Sequence, residues 1–117
     1  RSVAAELGCA ALEWERIPAT SHDVLVHCTP VGSAGAPPGS PDMAIPADWL
    51  RPGTLVLDAV YRPVKTALLA AARERGCTAV PGAEWFVRQA TAQFRLFTAH
   101  DADEALLRAA FESALRE

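Results

Sequence analysis

Cysteine is scarce in this chain, and what there is does not pair. Cys9, Cys28 and Cys77 are the three present. Their odd number and wide spacing fit neither a disulfide framework nor a zinc knuckle, and point to a reducing, cytoplasmic setting. No apolar run approaches the ~20 residues that span a bilayer, and no signal peptide is visible, so a membrane partner is not expected. No basic patch stands out. Lys and Arg total 11 against 14 Asp and Glu, a net charge of −3, which argues against a nucleic-acid partner. Internal repeats are absent. The chain also lacks a starting methionine and opens in what reads as mid-helix, "RSVAAELG", so a piece of a longer protein is expected.

What is present suffices for a core. Half of the 117 residues are apolar, as in one small globular domain or part of a larger one. "SVAAELG" reads as a helix stopped by Gly8, and "CAAL" as a short strand. "DVLVHCT" (23–29) and "TLVLDAV" (54–60) are short apolar runs bounded by turn signals, the pattern of buried strands. Between them "PVGSAGAPPGSP" (30–41) is a loop by composition. "TALLAAARERG" (66–76) is a helix closed by Gly76, and "CTAV" a last short strand closed by a Pro81-Gly82 turn. A long helix over 83–98 follows. A final helix runs from about 102 to 116, with Asp101 and Glu104 spaced as a capping box.

Strand, helix, strand, helix with buried strands implies an α/β fold with a parallel sheet covered by helices. Ligands of such sheets sit beyond the carboxyl ends of the strands. That rule singles out the Thr29–Gly32 turn, the Asp58–Pro63 turn and Pro81–Trp85. On the long helix, Phe86, Ala90, Phe94 and Phe97 share one face, with Glu84, Arg88, Thr91 and Arg95 opposite. Trp85, Gln89 and Gln93 form a third stripe at the edge of the apolar face. A glutamine there can offer both a donor and an acceptor to a ligand hydroxyl. It can equally bind backbone of a neighbouring loop, where most side-chain hydrogen bonds go. Asp58 can hold the turn after its strand by accepting from nearby backbone N–H groups. His22, His27 and Cys28 raise the question of a metal. Adjacent residues of a strand point to opposite faces, so no metal site is expected.

Three segments in order, "DVLVHCTPVG", "LDAVYRPVKTALLAAARERG" and "VPGAEWFVRQATAQFRLFTA", resemble the C-terminal half of the shikimate dehydrogenase family across residues 23–98. The spelling "EWFVRQA" is closest to forms fused to a 3-dehydroquinate dehydratase. The resemblance implies a partial Rossmann-like sheet whose first strand and glycine-rich loop are missing, so that residues 1–117 are the C-terminal half of a dinucleotide-binding domain. It implies NADP as cofactor, with Thr29, Pro30 and Val31 lining the ribose and nicotinamide side of a cleft. Ala59, through its backbone, and Gly82, through its carbonyl, would hold the carboxamide. A glycine suits that place because backbone must approach closely. Trp85 stands where the family usually has a methionine. Tyr61 and Gln89 would reach shikimate or 3-dehydroshikimate. His27 replaces a family asparagine and Ser33 a methionine.

The family's catalytic lysine and aspartate belong to an N-terminal substrate domain, and no residue of this chain matches them. The expectation is therefore part of an NADP-dependent shikimate dehydrogenase, inactive alone and dependent on its substrate domain. The alternative is a non-enzymatic, quinate- or shikimate-sensing regulator on the same fold. A sheet edge left open would be covered by association with another copy.

Overall fold

Val24–His27 (β1), Leu55–Asp58 (β2) and Thr78–Pro81 (β3) form a three-stranded parallel sheet in the order β1-β2-β3 in the computed structural model, which describes residues 3–115. In register, Leu25, Val56 and Ala79 lie abreast, and so do His27, Asp58 and Pro81. Alternation along each strand sends these two rows to one face. A helix over Ala67–Glu74 (α2) covers that face, with Leu68, Leu69 and Ala72 buried. Ile45, Leu50, Val56, Leu68 and Ala72 make the core, and Leu25, Met43, Trp49, Cys77 and Ala79 pack around it. Burying a side chain such as Leu68 contributes about 1.5–3 kcal/mol.

Thr66 starts α2 because its hydroxyl oxygen accepts from the Leu69 N–H at 3.2 Å, filling one of the open donors of a first helical turn. β2, α2 and β3 are thus a βαβ unit. The β1 to β2 connection is different. It carries only turns and a short 3₁₀ helix over Ala47–Trp49.

A helix over Gly82–Thr98 (α3) leaves β3 directly, with Pro81 as its N-cap and no intervening turn. A helix over Glu104–Ala114 (α4) packs back on α3. The cap of α4 is Asp103, whose side chain accepts from the Leu106 N–H at 3.1 Å. Asp101, the residue expected there, instead faces Arg95 at 3.5 Å in solvent. The expected end of this helix at 116 lies outside the described residues. At the other end of the chain, Val3–Leu7 (α1) is helical and Gly8 stops it at φ +67°, a left-handed angle that favours glycine. "CAAL" is not a strand: Cys9–Leu12 are exposed and irregular.

The stripes expected on α3 are only partly observed. Its most buried side chain is Val87, whereas Phe94 is 42% and Phe97 86% exposed. Seventeen residues extend about 25 Å at 1.5 Å each. Four-residue strands cannot cover that length. Only the first turns of α3 reach the sheet, and Phe86 turns sideways toward α4. The outer edge of β1 pairs with no strand among the described residues, and Val24 and Val26 there are more than half exposed. No helix among the described residues is long and apolar enough to cross a membrane.

Candidate functional site

Asp58, the last residue of β2, is 1% exposed, and a buried carboxylate must be matched by donors. It is. Oδ1 accepts from the Val60 N–H at 3.1 Å and from His27 Nδ1 at 2.9 Å, and Oδ2 accepts from the Thr66 hydroxyl at 2.6 Å. The expectation that Asp58 holds its own turn therefore agrees with the structure, and it does more. It joins the ends of β1 and β2 to the N-terminus of α2. The network continues on β1, where His27 Nε2 meets Thr29 Oγ1 at 2.5 Å. His27 is buried while Cys28 is exposed, as strand alternation requires. Among the described residues no three His, Cys, Asp or Glu side chains gather as metal ligands.

Beyond Thr29 the chain turns back sharply. The Ser33 N–H donates to the Pro30 carbonyl at 3.0 Å, with Gly32 at φ +79°. A Cβ on Gly32 would also lie 2.8 Å from the Asp42 carbonyl oxygen, so both angle and space require glycine. The next residues reach across to the β2 side, where the Ala34 N–H donates to the Arg62 carbonyl at 2.8 Å.

These two turns enclose a cleft of about 530 Å³ at the carboxyl ends of β1 and β2, lined by Cys28, Thr29, Pro30, Ser33, Ala34, Gly35, Ala59, Val60, Tyr61 and Arg62. Of the residues expected to bind ligands, Thr29, Pro30, Ala59 and Tyr61 come together here. Val31 lies just behind, its N–H 3.4 Å from Thr29 Oγ1. Gly82, Trp85 and Gln89 do not line this cleft.

Gly82 is buried, and a Cβ there would lie 2.6–2.7 Å from the carbonyl oxygens of Asp58, Ala59 and Val60. The close approach expected at this glycine is thus to the chain's own β2 turn. Gln89 is exposed and makes no side-chain hydrogen bond among the described residues. Among the described residues it ties down no neighbouring loop. Trp85 is 43% exposed.

Tyr61 is held by two phenylalanines. Its ring centroid is 5.4 Å from that of Phe86 on α3 and 5.8 Å from that of Phe111 on α4, and those two rings stack at 4.7 Å. Such pairs contribute beyond area alone. Arg62 donates to the Ala114 carbonyl at 2.9 Å, which fastens α4 to the rim of the cleft. Between the helices, Arg108 grips both carboxylate oxygens of Glu84 at 2.6 and 3.0 Å and reaches Glu104 at 3.2 Å. The hydrogen bond from Arg108 holds the Glu84 carboxyl below its usual value, and the same bond raises the Arg108 guanidinium.

No protein-family model matches the chain. Over 84 residues it is 46% identical to shikimate dehydrogenase (NADP(+)) of Streptomyces avermitilis, a match covering 72% of this chain and 28% of that protein. A solved shikimate 5-dehydrogenase from Thermus thermophilus, in complex with NADP(H) and shikimate, superposes with a TM-score of 0.78 and 28% identity over 95% of this chain and 40% of that one. The chain belongs to the shikimate dehydrogenase family. Quinate dehydrogenase from Corynebacterium glutamicum, solved with NAD, superposes with a TM-score of 0.77 and 31% identity, covering 94% of this chain and 39% of its own. The chain thus spans well under half the length of these shikimate and quinate dehydrogenases, and its three strands and flanking helices are a Rossmann-like portion of them.

Several features of this family member escape sequence reasoning. The partnership of Asp58 with Thr66 is one, and the Tyr61–Phe86–Phe111 cluster another. Asp58 and Thr66 do fall one helix-entry apart, so a short acceptor ending a strand and a hydroxyl capping the next helix are a usable signal. Phe111 carries none, because its meeting with Tyr61 depends on how α4 folds back.

Proposed function

We propose that this chain is the nicotinamide-side part of the dinucleotide-binding domain of an NADP-dependent shikimate dehydrogenase, which reduces 3-dehydroshikimate to shikimate. The observation that carries the reading is the cleft itself. It lies where a parallel sheet binds ligands, and it combines apolar walls (Pro30, Ala34, Ala59, Val60) with few polar groups (Thr29, Ser33, Arg62). That composition suits a flat, mostly apolar ring with an amide and hydroxyls at its edge. The residues present therefore fit a nicotinamide riboside, and NADPH when bound supplies the hydride.

In this reading Thr29, Pro30 and Val31 form the ribose and nicotinamide wall. The backbones of Ala59 and Gly82 hold the carboxamide, and Trp85 closes the side. Tyr61, fixed in orientation by Phe86 and Phe111, addresses the substrate together with Gln89, whose exposed amide stays open to it. The proton-handling lysine and aspartate, the substrate domain and the phosphate-binding loop come from other parts of a longer protein. The setting is cytoplasmic. The open edge of β1 is covered by further sheet or by a second copy.

The test is a titration of the ¹⁵N-labelled full-length protein with NADP and with shikimate, followed by resonance shifts. NADP shifts the amides of Thr29, Val31, Ala59 and Gly82, and shikimate shifts Tyr61 and Gln89. Shifts confined to surfaces away from these turns would remove the proposal.

A further inference from the structure

His27 is more than a substitute for the family asparagine. We propose that it is a positioning residue that fixes the Thr29 hydroxyl as a hydrogen-bond acceptor toward the cleft, so that this wall selects an N–H or O–H donor on the nicotinamide riboside. The inference rests on the functional reading above and adds which atom recognises what.

The argument is a count of donors. An ionised carboxylate only accepts, and Asp58 Oδ1 lies 2.9 Å from His27 Nδ1. Nδ1 therefore carries a proton. The other contacts of Asp58 agree, since the Val60 N–H and the Thr66 hydroxyl both donate to it. In a neutral imidazole the single ring proton then sits on Nδ1, and Nε2 is bare and can only accept. Thr29 Oγ1, 2.5 Å away, must donate its hydroxyl proton inward. Its lone pairs then point outward. The Val31 N–H approaches one at 3.4 Å, a long and weak contact, which leaves the other for a donor bound in the cleft that Thr29 lines.

An asparagine at position 27 would act differently. Its amide atoms lie closer to Cβ than the far ring nitrogen of an imidazole, so it does not reach from Asp58 to the Thr29 hydroxyl as His27 does. An asparagine would leave the Thr29 hydroxyl to rotate and to serve as either donor or acceptor. The histidine removes that choice, because the buried Asp58, 1% exposed, fixes the tautomer from behind.

The experiment has two readouts on the same labelled full-length protein. The first is the imidazole ¹⁵N spectrum of His27 near neutral pH. A protonated Nδ1 and a bare, hydrogen-bonded Nε2 are expected, with Nε2 moving when Thr29→Val removes the hydroxyl at nearly constant shape. A protonated Nε2, or one indifferent to Thr29→Val, overturns the inference and leaves the functional reading standing. The second readout is NADP affinity from shifts at Ala59. Thr29→Val raises Kd about three- to tenfold, the worth of one neutral hydrogen bond, and Thr29→Ser restores it.

In a His27→Asn background the Thr29→Val penalty shrinks to about twofold or less. An equal penalty in both backgrounds also overturns the inference. If His27→Asn does not fold, the spectrum and the Thr29 series decide alone. Repeating the series with the 3-acetylpyridine analogue of NADP, in which a methyl replaces the amide NH₂, identifies the donor. A penalty that vanishes assigns it to the carboxamide, and one that persists assigns it to a ribose hydroxyl. Failure of NADP to shift any residue of the cleft removes the functional reading, and this inference with it.

Discussion

Removing the Asp58 carboxylate is the sharpest test of what holds the two turns together. Its oxygens receive three donors, from Val60, His27 and Thr66 at 3.1, 2.9 and 2.6 Å. Asp58→Ala leaves all three without a partner in a site that is 1% exposed. Each orphaned group costs about 1–3 kcal/mol. Because a small cavity lets water or a rotated hydroxyl recover part of this, about 3–5 kcal/mol in total is expected, as for other buried pairs that lose one partner.

Asp58→Asn should cost less. An amide oxygen still serves His27 and Val60, and only the contact to Thr66 is mismatched. Thr66 already accepts from the Leu69 N–H, so its own hydroxyl proton must turn away from the new NH₂. About 1–2 kcal/mol follows. Urea denaturation by circular dichroism at neutral pH reads both. With a slope of about 1.5 kcal/mol per molar, Asp58→Ala lowers the midpoint by roughly 2–3 M and Asp58→Asn by roughly 1 M, at unchanged slope. A loss below about 1 kcal/mol for Asp58→Ala would refute the closed network. Equal losses for both variants would mean that the charge, and not the count of donors, carries the effect.

Gly82→Ala should destabilise by about 1–3 kcal/mol or more, since its Cβ meets three carbonyl oxygens at 2.6–2.7 Å. Gly8→Ala, with nothing within 4 Å and only φ +67° against it, should cost about 1–2 kcal/mol, and parallel thermal melts compare the two. The Glu84 carboxyl is held below its ordinary 4.5, so its contribution is complete above that value and is lost as pH falls through the lowered one. The stability gap between the wild type and Glu84→Gln should close over that acid range when urea midpoints are followed against pH. On the proposed reading the family's proton-transfer lysine and aspartate, groups typically worth 10²–10⁴-fold, lie outside this chain, so the chain alone should show no shikimate oxidation with NADP in a steady-state assay. In the full-length protein, Tyr61→Phe and Gln89→Ala should each lower kcat/KM for shikimate by roughly three- to a hundredfold, at about 0.5–1.5 kcal/mol or more per lost bond. The KM for NADP should move little, and a reversed pattern in the kinetics would place these side chains on the cofactor side.

The β-strands were legible because their signal is local. Short apolar runs between turn residues at 23–29 and 54–60 contain β1 and β2, and Thr66 and Gly76 bracket α2 as expected. "CAAL" shows the limit of that signal. Four apolar letters make a strand only if a neighbouring strand offers hydrogen bonds, and none lies beside Cys9–Leu12 among the described residues. Asp101 was likewise a plausible cap by spacing. Ala99, with φ 58° at the end of α3, sets the path into α4, and that path brings Asp103 to the cap.

α3 failed for a longer-range reason, and the same reason explains which site residues assembled. Helical periodicity ranks faces by polarity, but burial depends on what stands opposite. Here the sheet meets only the first turns of α3, through Gly82 and Val87. α4 then claims the next sector with Glu84–Arg108 and Phe86–Phe111, so a charged residue and an aromatic face the same partner helix. Residues whose place depends on strand ends (Thr29, Pro30, Ala59, Tyr61) therefore converge as expected. Those on α3 beyond Gly82 take their orientation from packing that no local pattern encodes. Trp85 and Gln89 accordingly face outward, and a role for them needs a surface brought up against α3 from elsewhere in the protein.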